Sequence, residues 1–551
     1  MKKNMNNNAA ERECYAGGIF DYGATVRKTE VLQTIPERAK EAVEHGFIYV
    51  HDLEGYGAVY NCCCPETEKW FAGRGMNSRT EHGKIFEIFQ LYQELIAEMA
   101  LNQTGGIGFT NFDQEISDIF VKNQIPVNEN NEQSLSDALG IFLQWINVTR
   151  TRYSREPYYV TLNVGLCTEQ WGRIFTRRLL DIFELSDYMR PNIVFKVNKR
   201  INSRKGTPNY DLFLSALRCT AAKMIPTYLL TDSIVNRECE AERLAIMGCR
   251  TRVYRNRNGC CTSRGRGNIA YVTINLPKLA AISAGIQDFY TKLNKILSCA
   301  VEILLHRKEC FLKNNNAEYM SSVLENGLWG SVTDREQMVR QGTFSVGFIG
   351  LEEAVDILFH EKRHESEIAR IGAENMIRYL SRELDRYGER EKLNFSLLAT
   401  SGENVSGIFC INDRGIINSK ETEKGFYTNS FHVDVRAGLS PFEKIDLEAP
   451  YHMLCTGGAI TYIEFREAIM TNTLALIDLI RYAEAAGISY LGFNFPLDIC
   501  KVCGAKGTFD VCPKCGSNNV TRIRRVSGYL EKLEFFTEGK QAEVRFRKSN
   551  L

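Results

Sequence analysis

From about residue 13 to residue 498 the chain alternates two textures, and this alternation constrains the fold more than any other feature. Short apolar, β-branched or aromatic runs ended by Asn, Gly or Pro recur at 158–164, 192–197, 271–277, 344–351 and 488–496. Between them run longer segments of helical period, such as Ile85, Ile88, Phe89, Tyr92, Leu95, Ile96 and Met99, all on one helix face. Strands separated by helices predict an α/β domain. At 551 residues, one large catalytic domain or several modules would fit. The strand count suits a large barrel or an open sheet, and periodicity does not choose between them.

Near residue 500 the texture changes. Cys500-x-x-Cys503 is followed, after eight residues, by Cys512-x-x-Cys515, and a Gly follows each pair. Each CxxC turn brings two thiolates to one side of a tight loop, and two such turns complete a tetrahedral sulfur site suited to Zn²⁺. A set of unrelated core cysteines is the poorer reading, because Lys501, Lys506, Asp510 and Lys514 make the segment too polar for a core. Four thiolates leave no open position, so the expected zinc is structural, and its binding acts as local folding energy of about 10 kcal/mol or more.

Bulk properties narrow the function. The 18 cysteines suit metal ligation, redox chemistry and buried core positions better than a disulfide framework. A net charge of +1 gives no electrostatic reason to expect nucleic acid or an acidic membrane as partner. The start has no apolar signal segment and no stretch is long and apolar enough to span a bilayer, so the expectation is a soluble cytoplasmic protein. Residues 1–12 read as a frayed polar end.

After the cysteine pairs comes Arg524-Arg525-Val526-Ser527-Gly528-Tyr529-Leu530. Local physics alone reads a turn whose Gly supplies φ > 0 or a close backbone approach. The segment also resembles the signature of glycyl radical enzymes. With the four-cysteine site just upstream, and with Leu530 and the tail around 535–545, it resembles the anaerobic (class III) ribonucleotide reductases rather than the pyruvate formate-lyase group. The resemblance covers roughly residues 30–551. It implies a ten-stranded α/β barrel entered by two finger loops, and a radical stored on Gly528 by a separate S-adenosylmethionine iron–sulfur activase. It also implies anaerobic reduction of ribonucleoside 5′-triphosphates to their 2′-deoxy forms. The boundaries expected are 1–30 as an N-terminal extension, 31–498 as the catalytic barrel and 499–551 as the zinc and radical domain.

The same resemblance assigns the chemistry. Ile246-Met247-Gly248-Cys249-Arg250-Thr251 resembles the family's Met-Gly-Cys-Arg segment, which makes Cys249 the thiyl that abstracts the ribose 3′ hydrogen. His51-Asp52-Leu53 followed by Asn61-Cys62-Cys63-Cys64 resembles the segment carrying the second thiol. Alignment on Asn61 selects Cys62, with Cys63 as the alternative, and His51 reads as structural. Met247 fits the position that accompanies formate as reductant. Asn268 is the matching amide, with Asn275 as the fallback. Cys260-Cys261 keeps a thioredoxin- or glutaredoxin-dependent reading open. The Gly- and Ser-rich turn at 401–406 could hold triphosphate oxygens through its N–H groups.

The chain departs from many relatives at its start. Only some thirty residues precede the barrel-like part, so the ATP-cone and its dATP shut-off are expected to be absent. Effector dNTPs or ATP at a specificity site, and a homodimer, remain expectations of the resemblance. Two other functions are compatible with parts of the sequence: another glycyl radical enzyme, a lyase or dehydratase, and a zinc-ribbon nucleic-acid-binding protein.

Overall fold

The computed structural model describes residues 14–150, 157–314, 318–417, 419–469, 472–525 and 527–550. The polar start expected to fray, residues 1–12, and Val526 of the radical motif lie outside them. The main sheet comprises β1 (Ile48–Val50), β2 (Cys62–Cys64), β3 (Ile107–Phe109), β4 (Val160–Val164), β5 (Asn192–Val197) and β6 (Thr227–Leu230). It continues with β7 (Arg266–Asn275), β8 (Thr343–Ile349), β9 (Asn394–Ala399), β10 (Thr461–Glu464) and β11 (Tyr490–Asn494).

Their pairing settles barrel against open sheet. Ten strands follow the order β10-β11-β6-β5-β4-β3-β2-β7-β8-β9, with β1 added antiparallel to β7. The two ends of that path meet: Gly457 N–H donates to Leu397 O at 2.8 Å and Ala399 N–H to Gly458 O at 3.0 Å, beside a parallel bridge between Leu398 and Gly458. Strands β2 to β6 run parallel to one another. The pairs β7–β8, β8–β9 and β10–β11 are parallel too. Antiparallel seams at β2–β7 and β6–β11 join the two halves. Every residue of β4, β5, β8 and β9 is buried, as expected of parallel strands covered on both faces.

Helices supply the outer cover. The periodic segment at 85–99 forms the helix Glu81–Leu101, and all seven of its predicted face residues are buried. Among the described residues, no helix is long and apolar enough to cross a membrane.

Directly after β11 the chain enters a second, four-stranded antiparallel sheet: β12 (Leu497–Cys500), β13 (Lys506–Gly507), β14 (Val520–Arg525) and β15 (Leu530–Lys532), in the order β13-β12-β14-β15. The cysteine turns sit at one end of it. The β14–β15 hairpin carries Gly528 at the other.

Candidate active site

Two loops converge inside the barrel. One connects β6 to β7 and turns sharply at Met247-Gly248-Cys249. There Met247 N–H donates to Thr251 O at 3.0 Å, and Gly248 takes φ +62°. The other is the tip of the β14–β15 hairpin. Arg525 fixes that tip from within, donating from Nη1 to Gly528 O at 2.8 Å and from Nε to Asn494 Oδ1 at 2.7 Å. Tyr462 adds a hydroxyl bond to Ser527 O.

The loops touch at the two residues singled out in the sequence. A Cβ built on Gly528 would lie 2.4 Å from Cys249 Cα and 2.7 Å from its Cβ. No side chain fits there. Gly528 is not among the positive-φ glycines, so close approach, rather than an unusual turn, is what demands glycine. Ser527 Oγ lies 3.3 Å from Cys249 Sγ.

The second thiol lies in the same pocket. Cys62, Cys249, Tyr159, Tyr271, Glu403 and Tyr529 all line it. Side chains alternate along β2, which separates Cys62 from Cys63. The Cys62 thiol donates to Asn61 Oδ1 at 2.9 Å and accepts from Gly106 N–H at 3.2 Å, facing the cavity. Cys63 points the other way, toward Leu328 O, into the main core.

Asn268 is the register partner of Cys62 across the β2–β7 seam. Its amide reaches Asn61 Oδ1 at 3.4 Å and its Oδ1 accepts from Ser345 Oγ at 2.9 Å. Asn275, at the far end of β7, caps the helix Leu276–Ala281 and binds Asp413. Met247 is buried with Cys62, Cys64, Ala245 and Val253, packed around the thiol rather than lining the cavity. Cys260 and Cys261 are exposed. Cys260 lines a separate open groove with Trp329 and Arg266.

Burial sets the protonation states. It pushes the Cys249 thiol well above its usual range, and the neighbouring Glu403 carboxylate adds to this. Burial likewise pushes Cys62 up to about 12. Both sulfurs therefore keep their hydrogen at neutral pH, the form able to give up a hydrogen atom. His51 is held neutral, first by burial and then by Arg307. It stacks on Tyr271 at 3.8 Å and bonds Thr273 Oγ1 at 2.8 Å, a structural setting.

Glu403 is the site residue that sequence reasoning missed. It lies in the turn at 401–406, considered above only as a phosphate cradle. Its Oε1 accepts from the Cys249 thiol at 3.2 Å and from Ser527 Oγ, so one carboxyl oxygen spans both loops. Burial raises its pKa. The available signal was an acidic side chain inside a turn otherwise suited to anions.

The four cysteines converge as well. Their sulfurs all lie within 4.8 Å of one another, with Cys500–Cys515 at 3.6 Å and Cys503–Cys512 at 3.5 Å. A tetrahedron with Zn–S bonds of about 2.3 Å puts sulfurs about 3.8 Å apart, so the donor set fits zinc in number, chemistry and span. Gly504 and Gly516 take φ +72° and +71° and donate back to Cys500 O and Cys512 O, the turns expected after each pair.

Comparison with known proteins agrees with this geometry. The family model described as anaerobic ribonucleoside-triphosphate reductase matches residues 7–549. The anaerobic ribonucleoside-triphosphate reductase of Haemophilus influenzae is 30% identical, covering 100% of this chain and 84% of that protein. That of Enterobacteria phage T4 is 28% identical over 95% of this chain and 93% of its own. Among solved structures, the anaerobic ribonucleotide reductase of Thermotoga maritima in complex with dATP and CTP superposes with a TM-score of 0.73 at 15% identity, covering 96% of this chain and 90% of that one. Hydroxyproline dehydratase of Clostridioides difficile shares the fold more distantly, with a TM-score of 0.59 at 12% identity, over 95% and 83% of the two chains.

Proposed function

The chain belongs to the anaerobic ribonucleoside-triphosphate reductase family, and from that premise we propose that Gly528 stores the radical, Cys249 receives it and Cys62 completes the reaction at the ribose. The observation that carries this reading is the close packing of Gly528 against Cys249, with both cysteines on one cavity. A glycyl radical at Gly528 takes the hydrogen atom of the Cys249 thiol. The thiyl so formed abstracts the 3′ hydrogen of the ribose. Cys62 then supplies hydrogen at C2′ as water leaves, formate oxidised to CO₂ provides the two electrons and restores the Cys62 thiol, and Cys249 returns the hydrogen atom to C3′. Asn61 and Asn268 hold the Cys62 side in register, and Glu403 orients the Cys249 S–H and the Ser527 hydroxyl.

Formate is the reductant this arrangement favours. Met247 packs with Cys62, whereas Cys260 and Cys261 lie outside the pocket. Cys500, Cys503, Cys512 and Cys515 would hold Zn²⁺, which braces the small sheet and therefore the hairpin that presents Gly528. A separate radical S-adenosylmethionine activase installs the radical. A Thermotoga maritima relative binds dATP in a specificity site. A specificity site for dNTP or ATP effectors, at the interface of a homodimer, is the matching reading here.

Anaerobic turnover of CTP with and without formate tests the proposal. Reduction that requires formate and is abolished in Cys249→Ser and Cys62→Ser is expected. Unchanged turnover in either variant would overturn the assignment of that thiol.

A further inference from the structure

Asp52 has a setting that the roles above do not explain. It takes a left-handed conformation, φ 55° and ψ 49°, which is uncommon outside glycine but which Asp, like Asn, adopts more readily than most residues. It is 91% buried, yet its carboxyl lines the pocket that holds Cys62 and Cys249. Both of its hydrogen bonds converge on one oxygen: Asn61 Nδ2 donates to Oδ2 at 3.0 Å and Thr104 Oγ1 at 2.9 Å. Among the described residues no donor reaches Oδ1. A carboxylate accepts at both oxygens, and Oδ1, on the cavity side, is the one left for a ligand to bond.

Resting on the reading of this pocket as the ribose site, we propose that Asp52 Oδ1 accepts a hydrogen bond from the substrate's 2′-hydroxyl, and so selects a ribonucleotide over its 2′-deoxy product. The assignment to the 2′ oxygen follows from connectivity. Asn61 links Asp52 to Cys62, the thiol on the C2′ side, whereas the other pocket carboxyl, Glu403, is bonded to Cys249 on the C3′ side. The left-handed turn sets the carboxyl between Asn61 and Thr104 with its second oxygen toward the cavity.

Asp52→Asn isolates the effect, because Asn tolerates the left-handed conformation. Its amide oxygen takes over the bonds from Asn61 and Thr104, and an NH₂ donor then replaces the acceptor facing the cavity. With effector held constant, the KM for CTP should rise on the order of 10- to 100-fold, the loss expected for a hydrogen bond to a charged acceptor. The competitive inhibition constant of dCTP should change less than about twofold. Equal changes for CTP and dCTP, or no change in KM, overturn the proposal. Failure of the parent to reduce CTP would instead sink the reductase reading.

Should the variant fold poorly, the parent provides a second test. Burial and then Glu54 raise the Asp52 pKa to about 6. Arg307 opposes the shift, while Tyr49, Cys62 and Tyr271 face the same carboxyl. Discrimination between CTP and dCTP should shrink as pH falls through about 6. Discrimination that stays flat from pH 5 to 8 also contradicts the proposal.

Discussion

Gly106 lies against both finger loops, and replacing it with Ala tests whether their positions matter to fractions of an ångström. A Cβ there would sit 2.7 Å from Gly248 Cα, 3.1 Å from Gly248 N and 3.1 Å from the Tyr529 hydroxyl. Carbon atoms in contact prefer about 3.5–4.0 Å, so the loop carrying Cys249 must retreat by about 0.8–1.3 Å, or the strand must bend. The obstructing atoms of Gly248 are backbone and cannot rotate aside. Gly106 is not among the positive-φ glycines, so Ala adds steric bulk without backbone strain. Overpacking of this kind destabilises by about 1–3 kcal/mol, and a displacement of about 1 Å in reacting groups can lower turnover about 100-fold. Urea unfolding should therefore show a modest loss of stability. Anaerobic CTP reduction should fall much further than the fraction of unfolded protein explains. Activity within about twofold of the parent would refute the claim that the Cys249 loop is held by this contact.

Other perturbations have equally definite outcomes. Cys249→Ser should abolish CTP reduction while the activated protein keeps its glycyl radical signal, since storage precedes transfer; loss of the signal itself would count against that order. Cys63→Ala should retain turnover and lose about 2 kcal/mol or less in urea unfolding, because Cys63 points into the core. Metal analysis should find one zinc per chain. Cys512→Ser should lower that content and the radical yield together, and full radical yield without zinc would dissociate the brace from the hairpin. Glu543 is buried, which alone would raise its pKa, but Lys540 and Arg547 override this and hold it down at about 2. Its stabilising contribution, roughly 3 kcal/mol, is present above the unfolded value near 4.5 and is lost as pH falls toward 2. Glu543→Gln should therefore destabilise at pH 7, and the gap in urea midpoints between parent and variant should narrow below about pH 4.5.

The sequence carried the local part of this architecture and little of the long-range part. The run at 192–197 coincides with β5, and the helix Glu81–Leu101 buries its predicted face, because both patterns record burial on one element. The zinc turns were legible for the same reason: ligands and turn glycines are neighbours in the chain. Barrel closure was legible only through the family resemblance and not from periodicity, since it depends on Leu397 and Ala399 bonding Gly457 and Gly458, some sixty residues away. Asn275, read from the sequence only as a fallback amide, instead caps the helix Leu276–Ala281, which has a proline in its first turn. The choice of Cys62 over Cys63 became physical only once β2 was known to be a strand. Glu403 and Asp52 escaped because their roles arise across the cavity, from partners more than a hundred residues away for Glu403 and from an unusual backbone conformation for Asp52.

The proposal that Gly528 stores the radical can be tested directly by electron spin resonance after anaerobic activation. A radical at the glycine Cα couples to its one remaining α-hydrogen and should give a doublet, which deuteration of glycine at the α-carbon should collapse to a singlet. The doublet should be absent in Gly528→Ala, whose added methyl meets Cys249 Cα at 2.4 Å. An unchanged doublet in that variant would place the radical elsewhere and contradict the account.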